Sequence, residues 1–270
     1  MNTFFRTLLI STIFYALALG FVSCSSGEGK DEQSQKEIEA GIIGKWKVVK
    51  TNGTETPTNE ETIITYRQGG ICYRSVSEYI PMLRDHVWLS KQEMEYSING
   101  NRLIEIGNIG ERQLTIISID EERMVLTQDK YIYNGKTDET AVSYELTKIS
   151  VDYSRDIIGL WEGVEMTGEE TYGNAEARIE YNADGTYTYY TKSGDDWVAS
   201  KNVDNEYMVD GDWLATRWRP ETGVGYEYEW WNIESVKDGL MKWTALRLKE
   251  DGSRFTTSFT WRSLSSSRSR

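Results

Sequence analysis

The chain has 270 residues, with 43 Asp and Glu against 30 Lys and Arg, a net charge of −13, and 12% aromatic residues. That acidity excludes electrostatic docking to nucleic acid or to anionic lipid, because both need clustered cations. One histidine and two cysteines exclude a His-cluster metal site and a disulfide framework.

Residues 1–23 have the layout of a secretory signal, with Arg6 as a small positive n-region and an almost unbroken apolar run from Leu8 to Phe21. The segment closes in Phe21-Val22-Ser23-Cys24, which resembles the lipobox of bacterial lipoproteins. The resemblance implies cleavage before Cys24, acylation of Cys24 with palmitate-type chains, and a membrane partner reached through that lipid. Several acyl chains at ~0.8 kcal/mol per buried methylene anchor a protein stably. Ser25, with no Asp beside the cysteine, resembles lipoproteins of the Gram-negative outer membrane, and the acidic stretch that follows resembles a surface-export signal. Residues 24–40 are polar and charged and predict a flexible tether. With Cys24 lipidated, Cys72 has no disulfide partner, and its alternating apolar surroundings predict a buried, inert thiol.

Beyond the tether the chain says one phrase twice. Ile42-Ile43-Gly44-Lys45-Trp46 recurs as Ile157-Ile158-Gly159-Leu160-Trp161, 115 residues later, and the register holds through Tyr66/Tyr181, Gly70/Gly185 and Ser143/Ser258. This predicts two domain-sized copies, 41–149 and 156–264, joined by a short linker at 150–155 and followed by a disordered tail at 265–270. Period-two patterning predicts strands near 44–50, 61–67, 70–77, 92–97, 101–107, 112–118, 123–131 and 141–148, and again near 159–167, 176–182, 185–192, 204–209, 212–219, 225–234, 239–249 and 253–262. Asn99-Gly100, Asn134-Gly135, Asp184-Gly185, Asp210-Gly211, Asp238-Gly239 and Asp251-Gly252 mark hairpin turns between them. Residues 78–92, with Pro81 and the single His86, have no full counterpart in the second copy and predict an irregular insertion at a barrel mouth, with His86 exposed. Eight short strands per copy fit an all-β fold of two tandem antiparallel up-and-down barrels, which remove sheet edges by closure; an open β-sandwich is the other solution.

The aromatic load is uneven. Copy two holds Trp161, Trp197, Trp213, Trp218, Trp230, Trp231, Trp243 and Trp261, whereas copy one holds Trp46 and Trp88. Alternation places Tyr226, Tyr228 and Trp230 on one face, Leu214, Thr216 and Trp218 on one face opposite Trp213, Ala215 and Arg217, and aligns Tyr187 with Tyr189. These rings read either as a solid core stitched by cross-strand pairs or as a surface that stacks on a sugar or an apolar ligand, oriented by Arg217 or Arg219. Catalysis has little support, since near carboxylate pairs such as Asp195/Asp196 are ordinary among 43 acidic residues. Gly107-Asn108-Ile109-Gly110 lacks the following helix a phosphate loop needs. No cofactor is expected.

Gly44-x-Trp46 and Gly159-x-Trp161, each opening the first strand of an eight-stranded unit, resemble the G-x-W phrase of lipocalins, above all the small lipocalin-like domain of bacterial lipoproteins. The resemblance covers residues 41–264. It implies that Trp46 and Trp161 close the barrel bases, with Arg262 packing over the second; in copy one the counterpart is Thr147, with Lys148 adjacent. The expected function is a lipid-anchored, non-enzymatic binding protein of the outer membrane. It captures a small apolar or aromatic-faced ligand in copy two through Tyr187, Tyr189, Arg217, Trp218, Tyr226, Tyr228 and Trp230. The alternatives are a scaffold or a glycan- or protein-binding component of an envelope assembly, or an inhibitor acting through the 78–92 insertion.

Overall fold

The computed structural model describes residues 28–264 except 81–84, 109, 169–175 and 224, and only the backbone of residues 28–34, 78–80, 85 and 86. Residues 1–27, with the expected signal segment and Cys24, and residues 265–270, expected as a disordered tail, lie outside the described residues. The described residues are all-β apart from one helix, α1 (Glu28–Ile42), and a single 3-10 turn, Thr58–Glu60.

The first copy comprises β1 (Gly44–Thr51), β2 (Thr54–Glu55), β3 (Thr62–Arg67), β4 (Ile71–Ile80), β5 (Asp85–Asn99), β6 (Arg102–Gly107), β7 (Gly110–Ile119), β8 (Arg123–Tyr133), β9 (Lys136–Asp138) and β10 (Val142–Ile149). All pairs are antiparallel. The ladder from Val142↔Gln128 to Thr147↔Arg123 joins β10 to β8 and closes an eight-stranded barrel from which β2 and β9 project as short extras. The alternation read from the sequence survives as an inward face of Trp46, Val48, Ile64, Tyr66, Leu103, Leu114, Met124, Leu126 and Leu146. The open sandwich is excluded for this copy by the closing ladder.

Two expectations are corrected here. The tether expected over 24–40 is helical from Glu28 onward. Ile38 and Ile42, one helical turn apart, pack with Ile43 against the barrel core, and the Gly100 amide donates to Gln35 Oε1 at 3.2 Å. Polar composition hid this narrow apolar stripe. The insertion at 78–92 is not irregular on its described residues: β4 runs to Ile80 and β5 begins at Asp85, with the backbone of His86 paired to Tyr79. A long hairpin satisfies its own backbone polar groups, which an irregular loop would leave to water.

The second copy comprises β11 (Gly159–Thr167), β12 (Ala177–Tyr181), β13 (Tyr187–Ser193), β14 (Asp196–Ala199), β15 (Val203–Asp210), β16 (Trp213–Arg219), β17 (Glu227–Lys237), β18 (Leu240–Leu248) and β19 (Arg254–Ser263). Its sheet runs β14-β13-β12-β11-β19-β18-β17-β16-β15 and curls until Thr186 bridges Glu206, an isolated contact beside the Tyr207 N–H bond to Gly185 O at 2.8 Å. Closure is weaker than in copy one for a local reason. The single strand β5 pairs with both β4 and β6, whereas its counterpart is broken at Ser200–Asn202 into β14, which pairs only β13, and β15, which pairs β16.

The repeated phrase does the same work twice. Gly44 and Gly159 have φ of +133° and +132°, a region that other residues rarely enter, and a Cβ on Gly44 would meet Lys148 Cε at 2.7 Å. The Trp46 and Trp161 indoles donate to Ile42 O and Ile157 O, each at 2.7 Å. Trp161→Phe keeps most of the ring and loses that bond, so urea unfolding should show a loss of roughly 1 kcal/mol. An unchanged midpoint would make the bond neutral.

Candidate functional site

Within copy two, the inward strand positions are taken up by rings. Trp161, Tyr181, Tyr187, Trp231, Trp243, Phe259 and Trp261 are all buried together. Trp243 sits 4.8 Å from Trp261 and 5.5 Å from Trp231, and Phe259 lies 4.0 Å from Trp261, measured between ring centroids. Burial raises the phenol pKa values of Tyr181, Tyr187 and Tyr189. Of the residues expected to form a ligand site, Tyr187, Tyr189 and Trp218 point into this packing.

The rest of that set faces the other way. Trp213, Ala215 and Trp230 form a separate buried cluster with Ile63 of copy one, flanked by Trp88, Ile149, Met208 and Tyr228. Tyr228 stacks on Trp230 at 5.6 Å and meets Trp88 edge-on at 6.4 Å, while the Arg217 guanidinium lies 5.0 Å from both the Trp88 and Tyr226 rings. The seven residues therefore do not converge on one ligand surface. The alternation that sorted them into faces was correct, but the outer face is occupied by the other barrel. Arg262 also departs from expectation: it pairs with Glu162 at 2.7 Å on the exposed side and does not cover Trp161. In copy one the cation over the tryptophan is Lys148, with its Nζ 5.0 Å from the Trp46 ring.

A polar network runs beside the buried rings of the seam. Lys47, on the outer face of β1, donates to Asp212 Oδ1 and Oδ2 at 3.0 Å and to Asn232 Oδ1 at 2.6 Å, and stands 3.2 Å from Glu61 Oε2. Asn232 donates in turn to Glu61 Oε1 at 2.6 Å. Ser75 and Lys45 both reach Asp210 at 2.6 Å. The turn at Thr58 enters copy two directly: Thr58 O accepts from the Trp213 indole at 3.1 Å, and Thr58 Oγ1 accepts from the Leu246 amide at 2.9 Å. Burial, opposed by Lys47 and Asn232, raises the Glu61 carboxyl from 4.5 to about 7. A carboxyl whose pKa rises on folding contributes its full stability below 4.5 and loses it as pH climbs through about 7. Glu61→Gln should therefore flatten the decline of the urea midpoint across that window. The same slope in both chains would mean that Glu61 titrates as an ordinary surface carboxyl.

The interior of copy one carries a feature that sequence reasoning missed. Glu105 is 1% exposed and accepts from the Tyr66 hydroxyl and from Arg112 Nη1, the latter at 2.9 Å. Arg112 also donates to Gln128 at 3.0 Å and lies 5.4 Å from the Tyr144 ring. Arg74 pairs in register with Ile64 and Gln92, which puts it on the inward face shared with Cys72. The signal was present: Arg74, Glu105 and Arg112 stand two residues from Cys72, Leu103 and Leu114, on the same inward alternation. Burial raises the Cys72 thiol pKa, which fits the inert role expected of it.

Among the described residues, no group of three or more His, Cys, Asp or Glu side chains could hold a metal ion, and no helix is long and apolar enough to cross a membrane. Comparison of the chain with family models and with curated proteins found no match.

Proposed function

We propose that the protein is a lipid-anchored, non-enzymatic component of a bacterial outer membrane in which two lipocalin-like barrels act as one rigid body. The observation that carries this reading is the seam. Copy one inserts Thr58 and Lys47 into copy two, and copy two gives up Trp213, Trp230 and Tyr228 to it. Rings spent on barrel packing and docking favour a scaffold that presents its outer surface to envelope partners over capture of an apolar ligand in copy two. Lipid on Cys24 anchors the scaffold. Co-purification from intact membranes should bring down defined partner proteins, and tryptophan-fluorescence titration with apolar ligands should show no saturable change. A saturable response that disappears on truncating Trp243 would restore the ligand reading for copy two.

The anchor has its own test. Cys24→Ala should abolish incorporation of labelled palmitate and move the protein from the membrane fraction to the soluble fraction. Retention in the membrane would point to uncleaved signal or to a protein tether.

A further inference from the structure

Lys47, Asn232 and Glu61 stand at the seam in the order that amide transfer between side chains requires. Lys47 Nζ is 2.6 Å from Asn232 Oδ1, so the amide carbon lies one C=O bond, about 1.2 Å, beyond its contact atom. The nitrogen of that amide, the group that would have to leave, donates to Glu61 Oε1 at 2.6 Å. Glu61 Oε2, buried and outside hydrogen-bonding geometry to any described donor, is 3.2 Å from the Lys47 amine. One carboxyl group thus touches both nucleophile and leaving group, within the reach that proton transfer needs. The strands also keep water away. Ile63 pairs with Lys47 across β1 and β3, Trp213 pairs with Asn232 across β16 and β17, and both side chains are fully buried. Burial favours a neutral amine, but Glu61 and Asp212 outweigh it and hold the Lys47 pKa up. The amine therefore becomes nucleophilic when its proton passes to Glu61, whose carboxyl burial has raised to about 7. A bond formed once in the life of a molecule tolerates that slow first step, because amine and carbonyl are held at a high effective concentration.

We propose that the two barrels are cross-linked by an amide bond between Lys47 Nζ and Asn232 Cγ, formed by the folded chain itself with Glu61 as the catalytic acid and base. The neutral amine attacks Cγ to give a tetrahedral carbon, its nitrogen moving from the edge of the amide to its face by rotation of the flexible lysine stem. Glu61 returns the first proton to the Asn232 nitrogen as the Cγ–Nδ2 bond breaks, and the second proton shed by Lys47 leaves with the ammonia as ammonium. An alkylammonium and a carboxamide thus become a secondary amide and ammonium, with no oxidant, energy source or cofactor. Asp212, 3.0 Å from Nζ, is placed to accept the remaining N–H. The ionic contacts described for this seam are those of the chain before the bond forms. The assignment rests on the rigid-body half of the scaffold reading but on neither the anchor nor the partners, so its failure would leave that reading standing.

Peptide mapping of the mature parent chain by mass spectrometry tests the bond. Trypsin should leave Lys47 uncut and release a branched peptide joining residues 46–50 to 218–237, one ammonia lighter than the sum of the two linear peptides. Boiled in SDS, the looped parent should run ahead of Lys47→Arg, which keeps the cation but offers no amine that can form the bond. Glu61→Gln keeps the shape but cannot carry the proton, and should slow the reaction roughly 100-fold or more, so that freshly purified protein gives linear peptides. The map of the parent decides whether or not either variant folds. Only linear peptides from the folded parent, or an undiminished branched peptide from folded Glu61→Gln, would overturn the proposal.

Discussion

Lys47→Ala is expected to cost about 3–5 kcal/mol, the usual penalty for removing one partner of a buried ionic network. The size follows from what is left behind. Lys47 is 8% exposed and is the cation shared by Asp212 and Glu61. Without it Glu61 and Asp212 lose the cation they share across the seam, and Glu61 keeps its bond from Asn232. Undocking is the direct way to rehydrate them, so the variant should show a larger radius of gyration by small-angle scattering and faster proteolysis at the 150–155 linker. Lys47→Met fills the volume but leaves the same carboxylates; with the cation that lowers the Glu61 pKa gone, Glu61 should take up its proton at a higher pH than the about 7 of the parent, so the variant should fall close to the alanine variant at alkaline pH and recover as pH drops. A Lys47→Ala chain that stays as compact and stable as the parent would mean that apolar packing around Trp213 holds the barrels together unaided.

Trp243→Ala should be comparably severe, costing about 3–5 kcal/mol. Trp243 is 4% exposed and touches Tyr181, Trp231, Phe259 and Trp261. Copy two cannot readily collapse around the loss, because those rings are fixed on three different strands. The cavity left is apolar, and cavities of that kind take up small aromatic molecules. Indole should therefore restore part of the lost Tm in the variant and leave the parent unchanged. A small loss with no indole effect would show that the sheet recloses, using the slack between β13 and β15.

The strand plan was legible in the sequence because period-two alternation depends only on neighbours along the chain. The ladders keep Tyr228 and Trp230 on one side and Trp231 and Ile233 on the other, as the alternation required, and the Tyr226 ring lies beside Tyr228 at 6.4 Å. The misses have a common cause. Alternation says which residues share a face but not what lies opposite. An aromatic outer face looks the same whether a ligand or a second barrel covers it, and an inward charge looks like a surface charge until register places Arg74 beside Cys72. Strand β14 was also hidden, since the sequence reading left 193–203 without a strand where Asp196–Ala199 pairs with β13. Arg262 was misplaced by one position of the same alternation: the residue opposite Trp161 is Ser263, and Arg262 pairs with Glu162 outside.

By itself the sequence determined the all-β class, the two copies, their strand order and the tryptophan that opens each, because turn chemistry and alternation are local and the duplication states them twice. The tertiary structure alone decided that copy one closes while copy two only curls, and that the ring-rich face of copy two is a docking surface. It alone also showed that Lys47 and Glu61 are buried at a seam and that Arg74, Glu105 and Arg112 share the inward face of copy one. Each of these depends on pairs more than a dozen residues apart in the chain, where burial and charge balance are properties of the assembled barrels and not of any one strand.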